Sequence, residues 1–332
     1  MGKKNLKIAV STGDPAGIGP EVALRAARET GDEDIIPVLI GSRKVFDVFH
    51  SGLCSGFETA GPDGPPDNAR KGMKYILDVP LENPFPAQGK GTPETGYESK
   101  RYIDLAVDLW KRGKVDAIVT GPVSKECIEL SGTPFTGHTE YIAGLIGEDH
   151  PLMMMFSPRY RVLLTTTHIP LSEVTAAVTA EQLMRVMETG YRSMSLIDGG
   201  TVRMAVAGLD PHCGDGGAVG DFDMTVTKNA VEKARATGIP VEGPFAADTL
   251  FIPERWEKYN LVIAQYHDQG LVPFKMLSFD TGVNVTLGLS LTRTSVDHGT
   301  AFDIAGRNIA GHRSMAEAIR LARLLELKKN RE

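Results

Sequence analysis

Short apolar runs alternate with amphipathic helical patterns along most of this 332-residue chain, and that alternation constrains the fold more than any other feature. Leu6–Val10, Ile36–Ile40, Ala117–Thr120, Val162–Thr166, Val202–Leu209 and Leu261–Ala264 have the length of buried strands. Between them, Lys100–Arg112 places Ile103, Ala106, Val107 and Trp110 at the i, i+3, i+4, i+7 spacing of one helix face. A last helix is predicted to open on a capping box, Ser314 with Glu317, and to bury Ala318, Leu321, Ala322 and Leu325. Such alternation predicts an α/β fold with a largely parallel sheet and helices on both faces. Gly52–Gly91, rich in Gly, Pro, Asn and Asp, is expected to form loops and short extended pieces. The chain is too long for one ordinary core, so two α/β lobes without a flexible linker are expected.

Charge excludes one class of partner. The net charge of −6 gives no basic field, so no nucleic-acid partner is expected. Three cysteines, Cys54, Cys127 and Cys213, have no CxxC spacing and suggest a reducing compartment. The N-terminal segment offers only a short apolar run, and no stretch approaches the roughly 18 apolar residues of a membrane span. No membrane association and a cytoplasmic location are expected.

Three groups of residues could carry chemistry. Gly13–Glu21 (GDPAGIGPE) follows the first strand, and Gly13, Gly17 and Gly19 permit a tight backbone path. It is not a dinucleotide fingerprint, because Val22 stands where GxGxxG needs its last glycine, and no GxxxxGK[ST] occurs. Of eight histidines, His168, His212 and His267 each follow a predicted strand, where a parallel sheet builds its binding crevice. Three neutral imidazoles could hold a divalent metal with a position left open for substrate, or each could be an ordinary loop histidine. His50, His150 and His312 read as structural, and Cys213 beside His212 lacks the partner that a thiol nucleophile needs. Lys275 and the polar stretch Phe279–Ala310, with Asn284, Arg293, Asp297, His298 and Asp303, suit a phosphate or carboxylate.

These segments, with TGPVSKE (Thr120–Glu126), FTGHTE (Phe135–Glu140), TTTHIPL (Thr165–Leu171), Gly208–Gly220, ADTLF (Ala247–Phe251), YHDQGLVPFK (Tyr266–Lys275) and Val283–Gly306, occur in an order that closely resembles the 4-hydroxythreonine-4-phosphate dehydrogenase family of pyridoxal phosphate biosynthesis. GIGPE and HGTAFDIAG also look like the cofactor-side signatures of isopropylmalate and isocitrate dehydrogenases, which bind NAD(P) without a Rossmann fold. The resemblance implies a two-lobed α/β/α subunit with an interlobe cleft, residues 1–130 plus 275–332 forming the cofactor lobe and 131–274 the metal and dimerisation lobe. It implies a homodimer with its active site at the subunit interface. The implied metal ligands (Zn, Mg or Co) are His168, His212 and His267, the last from the partner subunit. Substrate contacts fall on His138, Thr139, Lys275, Asn284 and Arg293. NAD or NADP is expected at His298, Gly299, Thr300, Ala301 and Asp303, with Asp248 and Asp268 as candidate catalytic groups. The implied reaction oxidises 4-phosphooxy-L-threonine at C3 and then decarboxylates it to 3-amino-2-oxopropyl phosphate. The chain departs from the family where Asn-Pro-His-Ala-Gly-Glu becomes Asp210-Pro211-His212-Cys213-Gly214-Asp215, and where a later acidic pair becomes Phe222-Asp223. A 4-phosphorylated threonate or erythronate is therefore the alternative substrate, and a catalytically silent binding protein the alternative of another class.

Overall fold

The computed structural model describes residues 5–31 and 33–330. The chain divides into two compact units, one running to Pro151 and resuming at Leu289, the other Leu152–Gly288. The discontinuous first unit thus gives way to the second after residue 151 rather than 130, and resumes at 289 rather than 275. Residues 131–151 fold with the first unit because Phe135 and Ile142 pack into its core beside Tyr102 and Ile128. Residues 275–288 stay with the second, because a strand there pairs with residues 152–156.

In the first unit, β1 (Leu6–Ser11), β2 (Ile35–Gly41), β3 (Glu58–Ala60), β4 (Tyr75–Asp78), β5 (Ala117–Thr120) and β12 (Arg293–Val296) form a sheet of order β3-β4-β2-β1-β5-β12. Its pairings are parallel. Every residue of β2 and β5 is buried, the unbroken apolar run of a strand covered on both sides. Ala9, Ile36, Val38, Ile40 and Ile118 share one core with Tyr102, Ile103, Ala106 and Val107 of helix Pro93–Lys111. Helix Arg313–Lys329 packs on β5 and β12. It buries Ala318, Leu321, Ala322 and Leu325, but the expected capping box does not form. The helix begins two residues earlier, with His312 at the cap position, and the Ser314 hydroxyl instead accepts from the Asp297 N–H at 3.1 Å.

The second unit contains β6 (Leu152–Phe156), β7 (Arg161–Leu164), β8 (Met204–Ala207), β9 (Val241–Phe245), β10 (Leu261–Ala264) and β11 (Val283–Leu287), in the order β11-β6-β7-β10-β8-β9. β6 is antiparallel to both neighbours, and the run β7-β10-β8-β9 is parallel. Alternate residues Val162, Leu164, Ala205, Ala207, Val262 and Ala264 join Leu250, Trp256, Leu271 and Phe274 in one core. β7 is shorter than its apolar run, although the Thr165 and Thr166 amides still donate to Ala264 and Gln265 carbonyls at 2.9 and 3.2 Å. Among the described residues no helix is long and apolar enough to cross a membrane.

Helix Pro93–Lys111 carries a capping box absent from the sequence reading. Thr95 N–H donates to Thr92 Oγ1 at 3.3 Å, and Thr92 N–H to Thr95 Oγ1 at 3.0 Å. Thr92→Ala is expected to lower stability by about 0.5–2 kcal/mol, read as a lower urea midpoint with an unchanged m-value.

Candidate functional site

The parallel pairing of β7, β10 and β8 decides which loops of the second unit are neighbours. β10 lies between the other two, so the turns after all three strands leave from one sheet edge. His168 follows β7, His267 follows β10 and His212 follows β8. His168 and His267 lie together, with ring centroids 5.5 Å apart. His267 Nδ1 lies 2.6 Å from Asp268 Oδ1. A carboxylate on Nδ1 fixes the ring and turns Nε2 outward, the usual support of a metal-binding histidine.

Among the described residues no group of three metal-capable side chains is assembled around that pair, His212 included. His212 is exposed at the start of a left-handed turn, in which φ is positive from His212 through Gly216. Cys213 follows it, and burial first, then the charges of Asp223 and Asp248, pushes its thiol up to about 11. That thiol is almost wholly protonated at neutral pH and a poor nucleophile. Asp248 is exposed in the short helix Ala247–Leu250, close enough to Cys213 for its charge to be felt. Lys275 is half-buried on helix His267–Ser278, and Asn284 on β11 has a buried Oδ1 without a hydrogen-bond donor.

The first unit gathers a cationic site. Arg293, 2% exposed at the start of β12, donates from Nη2 to Thr120 Oγ1 at 2.6 Å and from Nη1 to Thr139 Oγ1 at 3.3 Å. Burial pulls its pKa down to about 9, with Glu140 opposing, so it stays charged at neutral pH. An arriving anion would recover part of the hydration lost on burying that charge. His138 and Thr139 open helix His138–Ile146, whose first-turn N–H groups have no side-chain cap and suit the same anion. Burial, and then the charge of Arg293, hold the His138 imidazole well below its usual value and therefore neutral.

The glycine-rich segment meets the C-terminal loop in the same unit. Ile18 N–H donates to the Thr300 carbonyl at 3.0 Å, and a Cβ on Gly17 would lie 2.8 Å from that oxygen. Ala301 is left-handed with φ of 41°, and His298 Nδ1 lies 3.0 Å from the Gly299 carbonyl. Asp303 follows in the short helix Phe302–Ile304 and is exposed. These five candidate cofactor residues therefore form one loop against Gly13–Gly19. Two residues that order this region were not singled out from sequence. Asp14 accepts from Ala16 N–H at 2.9 Å and from the Thr95 hydroxyl at 3.0 Å, and Thr120 anchors Arg293. Both lie inside quoted motifs, but their signal is burial, which motif matching does not register.

The comparisons point one way. The family model described as pyridoxal phosphate biosynthetic protein PdxA matches residues 33–322. A 4-hydroxythreonine-4-phosphate dehydrogenase of Desulforapulum autotrophicum is 40% identical over 326 residues, covering 96% of this chain and 94% of the relative. A D-threonate 4-phosphate dehydrogenase of Cupriavidus necator is 38% identical over 319 residues, covering 94% of this chain and 95% of the relative. The crystal structure of 4-hydroxythreonine-4-phosphate dehydrogenase from Klebsiella pneumoniae matches with a TM-score of 0.83 at 34% identity, covering 97% of this chain and 99% of the other.

Asp14 makes the glycine-rich loop sensitive to pH. Burial, against the opposing hydrogen bonds from Ala16 and Thr95, raises its pKa from 3.8 to about 6. Between those values the folded chain holds a proton that the unfolded chain has released. Stability from this group is therefore lost as pH rises from about 4 to about 6, by about 2–3 kcal/mol. Asp14→Asn is expected to remove that component, so the variant-minus-parent difference in urea unfolding free energy should grow across this window and level off above it.

Proposed function

The chain belongs to the pyridoxal phosphate biosynthetic protein PdxA family and is a dehydrogenase, and we propose that it oxidises 4-phosphooxy-L-threonine at C3 with NAD or NADP and a divalent cation. The observation that carries this reading is the His168–His267 pair at the C-terminal edge of β7 and β10. A zinc–nitrogen bond is about 2.0–2.1 Å, so two imidazoles sharing one tetrahedral cation have centroids roughly 5 Å apart. The observed 5.5 Å fits that geometry. His168 and His267 would hold the cation, with His212, on the turn after the neighbouring strand β8, as the proposed third ligand.

When bound, the nicotinamide accepts the C3 hydride and the cation polarises the C3 oxygen. The chain's own residues supply the rest. Arg293, Thr139 and the amides opening helix His138–Ile146 bind the substrate phosphate or carboxylate, and Lys275 and Asn284 fix the remaining polar groups. His138, held neutral, donates or accepts a hydrogen bond without adding charge beside Arg293. Asp268 orients His267, and Asp248 or Asp268 would take the C3 hydroxyl proton. The resulting β-keto acid loses its carboxylate as carbon dioxide, the C1–C2 electron pair passing toward the C3 carbonyl. Protonation at C2 then gives 3-amino-2-oxopropyl phosphate.

The loop His298–Asp303 against Gly13–Gly19 is the proposed nicotinamide-nucleotide site. A homodimer is proposed from helix His267–Ser278, where Val272, Met276 and the following Phe279 expose apolar side chains at i, i+4 and i+7, Met276 to 81%. The similarity to the Cupriavidus necator enzyme favours D-threonate 4-phosphate, which carries a hydroxyl in place of the amine, as the second reading.

Reduction of NAD or NADP, followed by absorbance with 4-phosphooxy-L-threonine, D-threonate 4-phosphate and D-erythronate 4-phosphate over Zn²⁺, Mg²⁺ and Co²⁺, tests the assignment. Turnover confined to one acid selects it, and no turnover with any of them removes the proposal. His212→Ala should cut kcat by more than the roughly 10–100-fold typical of an outer-sphere change, with an unaltered unfolding midpoint because the side chain is exposed. Arg293→Lys should raise KM about 10–100-fold by losing the guanidinium fork.

A further inference from the structure

Strained backbone is concentrated in the turn that carries His212. Five consecutive residues are left-handed, with φ of 53° at His212, 56° at Cys213 and 44° at Asp215. Non-glycine residues stay in that region only where their surroundings over-determine it. The surroundings here centre on one carboxylate.

Asp223 is 1% exposed and takes four donors from its own unit. Its Oδ1 accepts from Leu209 N–H at 3.0 Å, Thr227 Oγ1 at 2.7 Å and Gln265 Nε2 at 3.3 Å, and its Oδ2 from Asp210 N–H at 2.8 Å. Gln265 and Gln269 lie two residues before and after His267, and both reach the chain that leads to His212. Gln265 Nε2 donates to the Ala207 carbonyl at 2.8 Å, and Gln269 Nε2 to the Gly208 carbonyl at 2.6 Å. Gly208 packs closely here, leaving no room for a side chain: a Cβ there would lie 2.6 Å from Cys213 Sγ and 2.9 Å from Asp223 Oδ2.

We propose that Asp223 is a positioning residue for His212: its carboxylate pins the backbone at Leu209 and Asp210, sustains the left-handed turn, and through Gln265 registers that turn against the one carrying His267. The inference rests on the metal reading above only in making His212 a ligand. Asp223→Asn tests it because the side chain keeps its shape but presents an NH₂ to N–H donors. In either amide orientation one buried backbone N–H at residue 209 or 210 loses its acceptor.

Two readouts on the full-length protein separate this proposal from the metal reading. The first needs no metal: labelling of Cys213 by dithiobis-nitrobenzoate, mapped by peptide, with buried Cys54 and Cys127 as internal references. Because the Asp223 charge adds to burial in raising that thiol, rates are compared per thiolate, using the Cys213 titration of each variant. So compared, Asp223→Asn should label Cys213 at least ~10-fold faster, and a rate within twofold of the parent overturns the proposal. The second is titration with Co²⁺ alone, followed by its visible absorption. Asp223→Asn should bind about 10–100-fold more weakly, the usual effect of an outer-sphere change. It should add no further loss in the His212→Ala background, and an equal loss in both backgrounds overturns the route through His212. If His212→Ala itself leaves Co²⁺ affinity unchanged, the metal reading falls, and the Cys213 rate alone decides for or against positioning. Should Asp223→Asn not fold, Thr227→Val removes a single donor from the same carboxylate and must shift both readouts in the same direction, more weakly, for the proposal to stand.

Discussion

The parallel pairing of β7, β10 and β8 underlies the chemistry proposed for the second unit. The register, Val262 opposite Val162 and Ala205, puts the apolar residues of all three strands on a common face. A slip of one residue would turn that face to the wrong side, so burial of Val162, Ala205 and Val262 fixes where each strand ends. It therefore fixes where the turns holding His168, His267 and His212 begin. The histidine spacing follows from core packing, although none of the three rings belongs to the core.

Each unit then orders its edge loops by the same device. Glycine-rich turns have few side chains to pack, and their backbone amides still need partners. In the first unit the buried carboxylate of Asp14 takes the Ala16 amide and ties it to Thr95 at the start of helix Pro93–Lys111. In the second, Asp223 takes two successive amides and ties them to Thr227 and Gln265. A buried carboxylate with several donors is a stiff support, because losing any one contact strands a buried polar group. The loops gain order without apolar bulk that would fill a ligand's space.

Much of this architecture was legible in the chain. Leu6–Val10, Ile36–Ile40 and Leu261–Ala264 are strands almost to the residue, because strands buried on both faces leave a nearly continuous apolar run, broken in the first only by Lys7. The adjacency of His168 and His267 was foreshadowed by their position after strands, but strand order is a long-range property that periodicity does not carry. The Ser314 capping box failed because a serine at a helix start has two possible partners, and tertiary structure offered the Asp297 amide. The division at Pro151 and Leu289 was missed because composition does not change there. Core contacts of Phe135 and Ile142 set it instead. The supports Asp14, Thr120, Asp223 and Gln265 carry no periodic or spacing signal, and only their burial with multiple donors distinguishes them.

That inward orientation bears on the substitutions that set this chain apart from the family pattern it resembles. Asp223 spends both carboxylate oxygens on donors from the chain, and Asp210 directs Oδ2 to the Phe222 amide at 3.2 Å. Asp223 is therefore committed to the backbone it supports, although its charge still reaches the neighbouring Cys213 thiol. Its effect is on the path of the backbone through His212. Discrimination between an amine and a hydroxyl at C2 needs a group with an acceptor or donor still turned outward, since a buried site built for one partner rejects another by leaving that group unsatisfied. Asn284, whose buried Oδ1 lacks a donor, meets that requirement where Asp223 does not.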